Sequence, residues 1–128
     1  MADTATKVID ASALAAVIFD EVTAEAVVAR LGDCTLVAPT LIDFELVNIC
    51  VSKMRRHPID RDLLLAAYEK RWSMTIAMVD ADHTAVLALA QRTGLTGYDA
   101  SYLHVARMLE VELVTLDRQL AAAAEKFR

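Results

Sequence analysis

Apolar positions follow two rhythms along this chain. Short continuous runs rich in branched and apolar residues, "KVIDAS", "CTLVAP", "MTIAMVD" and "VELVTLD", read as strands buried on both faces. Between them the apolar positions recur at helical spacing, in "SALAAVIF", "TAEAVVARL", "TLIDFELVNICVSKMRR", "DRDLLLAAYEKRW" and "ADHTAVLALAQRTG". A helix opening in "GLTGYDASYLHVA" runs out to about Glu110, and "RQLAAAAEKF" forms the last one. Gly32 and Gly94 stop two of these helices, Pro39 ends the second strand, and Ser12 and Thr40 are the expected N-caps of the helices they precede. Strands alternating with helices in this way predict an α/β chain with a central parallel sheet covered on both faces, a three-layer α/β/α sandwich.

The 128 residues suit a single domain with a proper core and leave no length for a second. Hydrophobic residues make up 56% of the chain and the mean hydropathy is +0.38, high for a soluble protein. The longest largely apolar run, Ala11 to Phe19, falls well short of the roughly 18–20 residues of a membrane helix. The opening "MADTATK" lacks the basic and apolar regions of a secretory leader, so a cytoplasmic protein is expected. The apolar excess then predicts surface hidden by self-association or by a partner.

Cys34 and Cys50 lie in apolar segments with no C-x-x-C pattern, which suits buried free thiols. His57, His83 and His104 share no metal-site spacing, so a zinc site is not expected. The net charge of −5 argues against broad, charge-driven binding of nucleic acid. It leaves room for a nucleic-acid enzyme whose acidic cleft is reversed in sign by a bound divalent cation.

In a parallel sheet the functional cleft lies beyond the carboxyl ends of the strands. Asp10, Asp80 and Asp117 close the first, third and last strands, while Glu45 and Asp99 fall in early turns of helices. All five are therefore expected near one edge of the sheet. Asp80 and Asp82 also suit the cap of the following helix. Asp43 points roughly 200° away from Glu45 around its helix, whereas Asn48, three residues on, shares the Glu45 face. Asp99 has two readings, a helix cap and a metal ligand, and in the first turn it meets the positive end of the helix dipole, which favours ionisation. Asp10, Glu45, Asp99 and Asp117 remain as a candidate quartet. Gathered together such acids repel one another, and Mg²⁺ or Mn²⁺ removes that cost because hard cations prefer carboxylate oxygens.

Four stretches, "VIDASAL", "APTLIDFELVN", "GLTGYDASYLHVA" and "LVTLDRQL", fall in the order and spacing of PIN-domain nucleases. More closely, the chain resembles the VapC-type toxins of bacterial toxin–antitoxin modules over essentially its full length. The resemblance implies a sandwich fold with a central parallel sheet and metal-dependent endoribonuclease activity restrained by a cognate antitoxin. It also implies that Asp10, Glu45, Asp99 and Asp117 are the four acids that hold Mg²⁺ or Mn²⁺ directly and through waters. Ser12 and Thr115 match supporting hydroxyl positions, and Asn48 matches a frequent Asn after the second acid. Tyr102 matches a frequent aromatic whose expected work is core packing. A homodimer with an antitoxin segment in an apolar groove would cover the apolar excess.

Other readings of the acids fare less well. A phospho-accepting receiver needs an acidic pair after the first strand and a Lys after the last, but Ala11 follows Asp10 and Arg118 follows Asp117. A dehalogenase-like phosphatase needs D-x-D where this chain has "DAS". The alternative that remains open is an RNA- or protein-binding module of the same fold without catalytic turnover. The cations Lys53, Arg55, Arg56, Lys70 and Arg71, near helix ends, are candidates for gripping RNA phosphates.

Overall fold

The computed structural model describes residues 5 to 127; "MADT" and Arg128, and with them the reading of the extreme N-terminus, lie outside the described residues. The first strand β1 (Ala5–Ile9) is followed by helices α1 (Ala11–Ile18) and α2 (Ala24–Leu31) and by β2 (Cys34–Pro39). Helices α3 (Leu41–Arg56) and α4 (Arg61–Glu69) lead to β3 (Ile76–Val79), with 3-10 turns at Pro58–Asp60 and Lys70–Ser73. Helices α5 (His83–Thr93) and α6 (Gly97–Leu109) then lead to β4 (Glu112–Val114) and the last helix α7 (Arg118–Lys126).

The sheet is parallel throughout, in the order β3-β2-β1-β4. Chain order and sheet order together fix the layers. The crossovers β1 to β2 and β2 to β3 step one way along the sheet, and β3 to β4 returns past both strands. Right-handed crossovers therefore put α1 to α4 on one face and α5 and α6 on the other. The packing agrees: α6 lies against β1, β2 and β4 with α5 and α7 beside it, and α1 packs on α2 and α3. This is the three-layer α/β/α sandwich that the alternation predicts.

The direction of strand order reverses beside β1, so the carboxyl ends of β1 and β4 open the crevice where such folds bind ligands. The core runs along both faces of the sheet. Val8 and Ile9 of β1, Leu14 and Ile18 of α1, Ile42 and Leu46 of α3, and Leu103 and Val105 of α6 are almost wholly buried. Each such side chain contributes about 1.5–3 kcal/mol relative to exposure. Among the described residues no helix is long and apolar enough to cross a membrane.

Several local expectations change. Asp10, not Ser12, caps α1, accepting from the Ala13 amide at 3.0 Å. Thr40 is itself helical and makes no side-chain cap, so α3 starts without one. Asp82 caps α5, as its position suggests. The helix expected from Asp60 to Trp72 ends at Glu69, and its last turn tightens into the 3-10 form. Cys50 is buried, but Cys34 at the start of β2 is only half-buried. Gly94 closes α5 in the left-handed region at φ 76°, a conformation that favours glycine.

Candidate active site

Asp10 sits where β1 becomes α1. Its amide continues the ladder, donating to the Val114 carbonyl at 3.2 Å, which brings the end of β4 alongside. One carboxylate oxygen accepts from Ser12 Oγ at 2.7 Å and from the Ala13 amide. The other accepts from Thr115 Oγ1 at 2.5 Å. Thr115 Oγ1 in turn accepts from the Asp117 amide at 3.0 Å, and Ser12 Oγ accepts from the Leu116 amide at 2.9 Å. The two hydroxyls thus lock Asp10 in place and pin the chain leaving β4 to the chain leaving β1. Asp117 follows as the cap of α7, accepting from the Leu120 amide at 2.9 Å.

Glu45 comes from the second turn of α3 and Asp99 from the first turn of α6. Tyr102 joins them: it is 1% exposed, and its hydroxyl donates to Glu45 Oε1 at 2.6 Å. The aromatic expected only to pack therefore also holds one of the acids. The signal was present in the spacing, because Tyr102 lies three residues after Asp99 and so shares its face of the helix. Asp99 is not a cap. Thr96 caps α6, accepting from the Asp99 amide at 3.1 Å, which leaves the Asp99 carboxylate free.

Charge draws these four acids into one group. Burial raises the Asp10 carboxyl above its usual range, the hydrogen bonds from Thr115, Ala13 and Ser12 oppose the rise, and the charge of Asp117 adds to it. Glu45 is raised by burial and by Asp99 and Asp10, against the Tyr102 hydrogen bond. Asp99 is raised by burial, then by Asp117 and Asp10. Asp117 thus bears on both Asp10 and Asp99, and Asp10 and Asp99 both bear on Glu45. Tyr102 is pushed up as well, by burial and by donating to Glu45.

The remaining expectations divide. Ser12 and Thr115 contact Asp10 directly, whereas Asn48 is exposed on α3 with no hydrogen bond to the four acids. Asp80 stands apart, at the end of edge strand β3, and its charge shifts none of the quartet. Asp43 turns away from Glu45 to meet Arg71, whose Nε donates to Asp43 Oδ1 at 2.7 Å. Arg71 is 4% exposed, so it is a structural cation and not a phosphate grip. Lys53 pairs with Glu21 at 2.8 Å, while Arg55, Arg56 and Lys70 are exposed.

Among the described residues no group of three or more His, Cys, Asp or Glu is arranged to hold a metal ion. The chemistry of the donor set nevertheless fits a hard divalent cation. All four donors are carboxylates, Asp10, Glu45 and Asp99 are raised by burial and by neighbouring acids, and no Lys, Arg or His among the described residues pairs with any of the four. Mg²⁺ keeps several waters and so needs only one or two direct carboxylates.

Comparison with known proteins agrees with this architecture. The sequence profile of the PIN domain matches residues 7–126. Ribonuclease VapC3 of Pyrobaculum aerophilum is 34% identical over 125 residues, covering 94% of this chain and 93% of that protein. The crystal structure of PAE2754, also from Pyrobaculum aerophilum, superposes with a TM-score of 0.74 at 26% identity, over 96% of this chain and 92% of the other. Mycobacterium tuberculosis VapC20, a Sarcin-Ricin loop cleaving toxin, shares the fold with a TM-score of 0.64 at 14% identity, over 91% of this chain and 94% of that one. By profile and sequence, with a fold that agrees, this chain belongs to the PIN-domain family and lies close to its VapC ribonucleases.

Proposed function

We propose that this protein is an endoribonuclease dependent on Mg²⁺ or Mn²⁺, the toxin of a type II toxin–antitoxin module, folded as one nuclease domain over residues 1–128. The observation that supports it best is the set of four carboxylates at the carboxyl edge of the sheet, three of them (Asp10, Glu45 and Asp99) raised by burial and by neighbouring acids, and none paired with a cation among the described residues. Asp10, Glu45, Asp99 and Asp117 are the metal-binding and catalytic residues in this reading, with Ser12 and Thr115 in support and Asn48 at the rim. A bound divalent cation would activate water as the nucleophile and offset charge on the phosphate oxygens.

The chain's own residues do the rest. Ser12 and the Ala13 amide fill one oxygen of the Asp10 carboxylate and Thr115 takes one site on the other, which leaves an acceptor site for a cation. Tyr102 fixes Glu45 from the buried side. Asp99 lies free on the first turn of α6, where it can meet a cation without giving up a cap. Burial of Asp10 keeps bulk water from its backbone side.

The same reading includes RNA as substrate, a cognate antitoxin as partner, a cytoplasmic setting and a homodimer. Exposed apolar side chains support a covered surface: Phe44 on α3, Leu63 on α4 and Trp72 in the turn after it are 79%, 72% and 57% exposed. The test is expression with and without the neighbouring antitoxin, with RNA 5′ ends mapped. Growth arrest with a recurring cut that needs Mg²⁺ or Mn²⁺ and disappears in Asp99→Asn supports the proposal. Metal-independent RNA binding without turnover would refute it in favour of a binding module.

A further inference from the structure

Beside the acids lies a cavity of about 630 Å³, walled by the ends of β2 and β3 and the first turns of α5 and α6. It shares a helical turn with the crevice, since Gly97, Tyr98 and Ser101 line it while Asp99 turns to the acids. No Lys or Arg lines it, its polar groups are Asp80, His83 and the hydroxyls of Thr40, Thr96, Tyr98 and Ser101, and most of its wall is apolar. Tyr98 stands on this wall 66% exposed. Its turn is stiffened from both sides, by the Thr96 cap on the Asp99 amide and by Ser101 Oγ donating to the Tyr98 carbonyl at 2.6 Å. Asp80 also lines the cavity, exposed and without a hydrogen bond or ion pair among the described residues.

We propose that this cavity is a nucleobase subsite for a guanine next to the cleaved phosphate, with Tyr98 stacking on the base and Asp80 reading its edge. The proposal rests on the nuclease reading for its position along the RNA, and on the cavity's own chemistry for the base. An exposed, rigidly presented phenol ring is a stacking platform for an unpaired base. An ionised carboxylate offers two acceptors and no donor. Guanine alone presents two adjacent donors on one edge, N1–H and the N2 amine. Cytosine and adenine set an acceptor beside their amine, and uracil sets a carbonyl on each side of its N–H. The cavity's apolar floor suits the face of a base and not a charged backbone.

The probes are the labelled hexaribonucleotides UUGUUU, UUAUUU, UUCUUU and UUUUUU, measured by fluorescence anisotropy with the full chain in Ca²⁺, a hard cation that quietens the acids. The guanine hexamer binds about tenfold or more tighter than the others. Asp80→Asn, which places a donor against guanine's donors, removes that preference. Tyr98→Ala weakens all four alike by about tenfold, because stacking is indifferent to sequence. Both side chains are exposed, and circular dichroism checks that each variant is folded. Equal affinity for the four hexamers, no binding of any, or a guanine preference that survives Asp80→Asn would overturn the proposal. So would a Tyr98→Ala variant that loses self-association in sedimentation but keeps hexamer binding, since a second copy then fills the cavity. Guanine-selective binding without Mg²⁺-dependent cutting sinks the nuclease reading alone, and cutting without selectivity sinks the subsite alone.

Discussion

Replacing Tyr102 by Phe removes one oxygen from the interior and leaves the ring in place. The ring is 1% exposed and packs in the core, so its burial is retained. What is lost is the 2.6 Å hydrogen bond to Glu45. A bond to a charged acceptor contributes about 1.5–3 kcal/mol, and Glu45 is only half-buried, so water partly replaces the phenol. The net loss is about 1–1.5 kcal/mol, or roughly tenfold in an equilibrium constant. The hydroxyl donates to the ionised carboxylate and so favours ionisation. Without it Glu45, already raised by burial and by Asp99 and Asp10, is raised further. At neutral pH a cation then competes with a more tightly held proton. The Mg²⁺ or Mn²⁺ concentration giving half-maximal RNA cleavage rises about tenfold, and the gap from wild type closes as pH rises. Cleavage of a labelled RNA across a metal titration at several pH values reads both effects. Urea unfolding of Tyr102→Phe checks that the packing of the ring is retained. A Tyr102→Phe variant with the wild-type metal requirement at every pH would refute the role assigned to this hydroxyl.

The acids should make the metal-free protein sensitive to pH. Asp10, Glu45 and Asp99 hold protons more tightly folded than unfolded, so their contribution is favourable below the usual carboxylate range and is lost as pH rises through the raised values. Glu112, held low by its Arg30 and Lys7 partners, has the opposite slope, so the clean measure is a difference between two proteins. In EDTA, Asp99→Asn should gain melting temperature over wild type as pH rises from about 5 to about 8, and Mg²⁺ should raise only the wild type strongly. Thr115→Ala deletes a donor to Asp10 and strands the Asp117 amide, which costs about 1–3 kcal/mol in urea unfolding and loosens metal binding. Arg71→Ala leaves Asp43 partly buried and unpaired and should cost about 3 kcal/mol of stability, with the residual folded protein keeping its RNA affinity. Thr96→Ala, which removes the cap of α6, should cost about 1 kcal/mol by thermal melting.

Much of the fold was legible because its signals are local. Continuous apolar runs and helical spacing place all four strands and all seven helices among the described residues, and their alternation carries the parallel sheet. Strand ends then pointed to Asp10 and Asp117, and helix starts to Glu45 and Asp99. The errors arose where a residue's work is decided by a distant neighbour. Ser12 looks like a cap until Thr115, from the far end of the chain, arrives at the other oxygen of Asp10. Arg71 looks like a surface cation until Asp43, 28 residues away, closes on it. Asp80 looks equivalent to Asp10 and Asp117 because in the sequence each closes an apolar run, although β4 itself stops at Val114 and Asp117 follows as the cap of α7. Only the strand order, with β3 at the edge and β1 and β4 adjacent, separates it from them.

The bond between Asp10 and Thr115 spans 105 positions of sequence. β1 is made early in synthesis, yet the partner of Asp10 in the crevice follows β4, the last strand among the described residues. A ribosome product that stops short of Thr115 has Asp10 without its lock and lacks Asp117 altogether. In the nuclease reading, a fragment from aborted translation that stops short of Thr115 would therefore leave RNA intact.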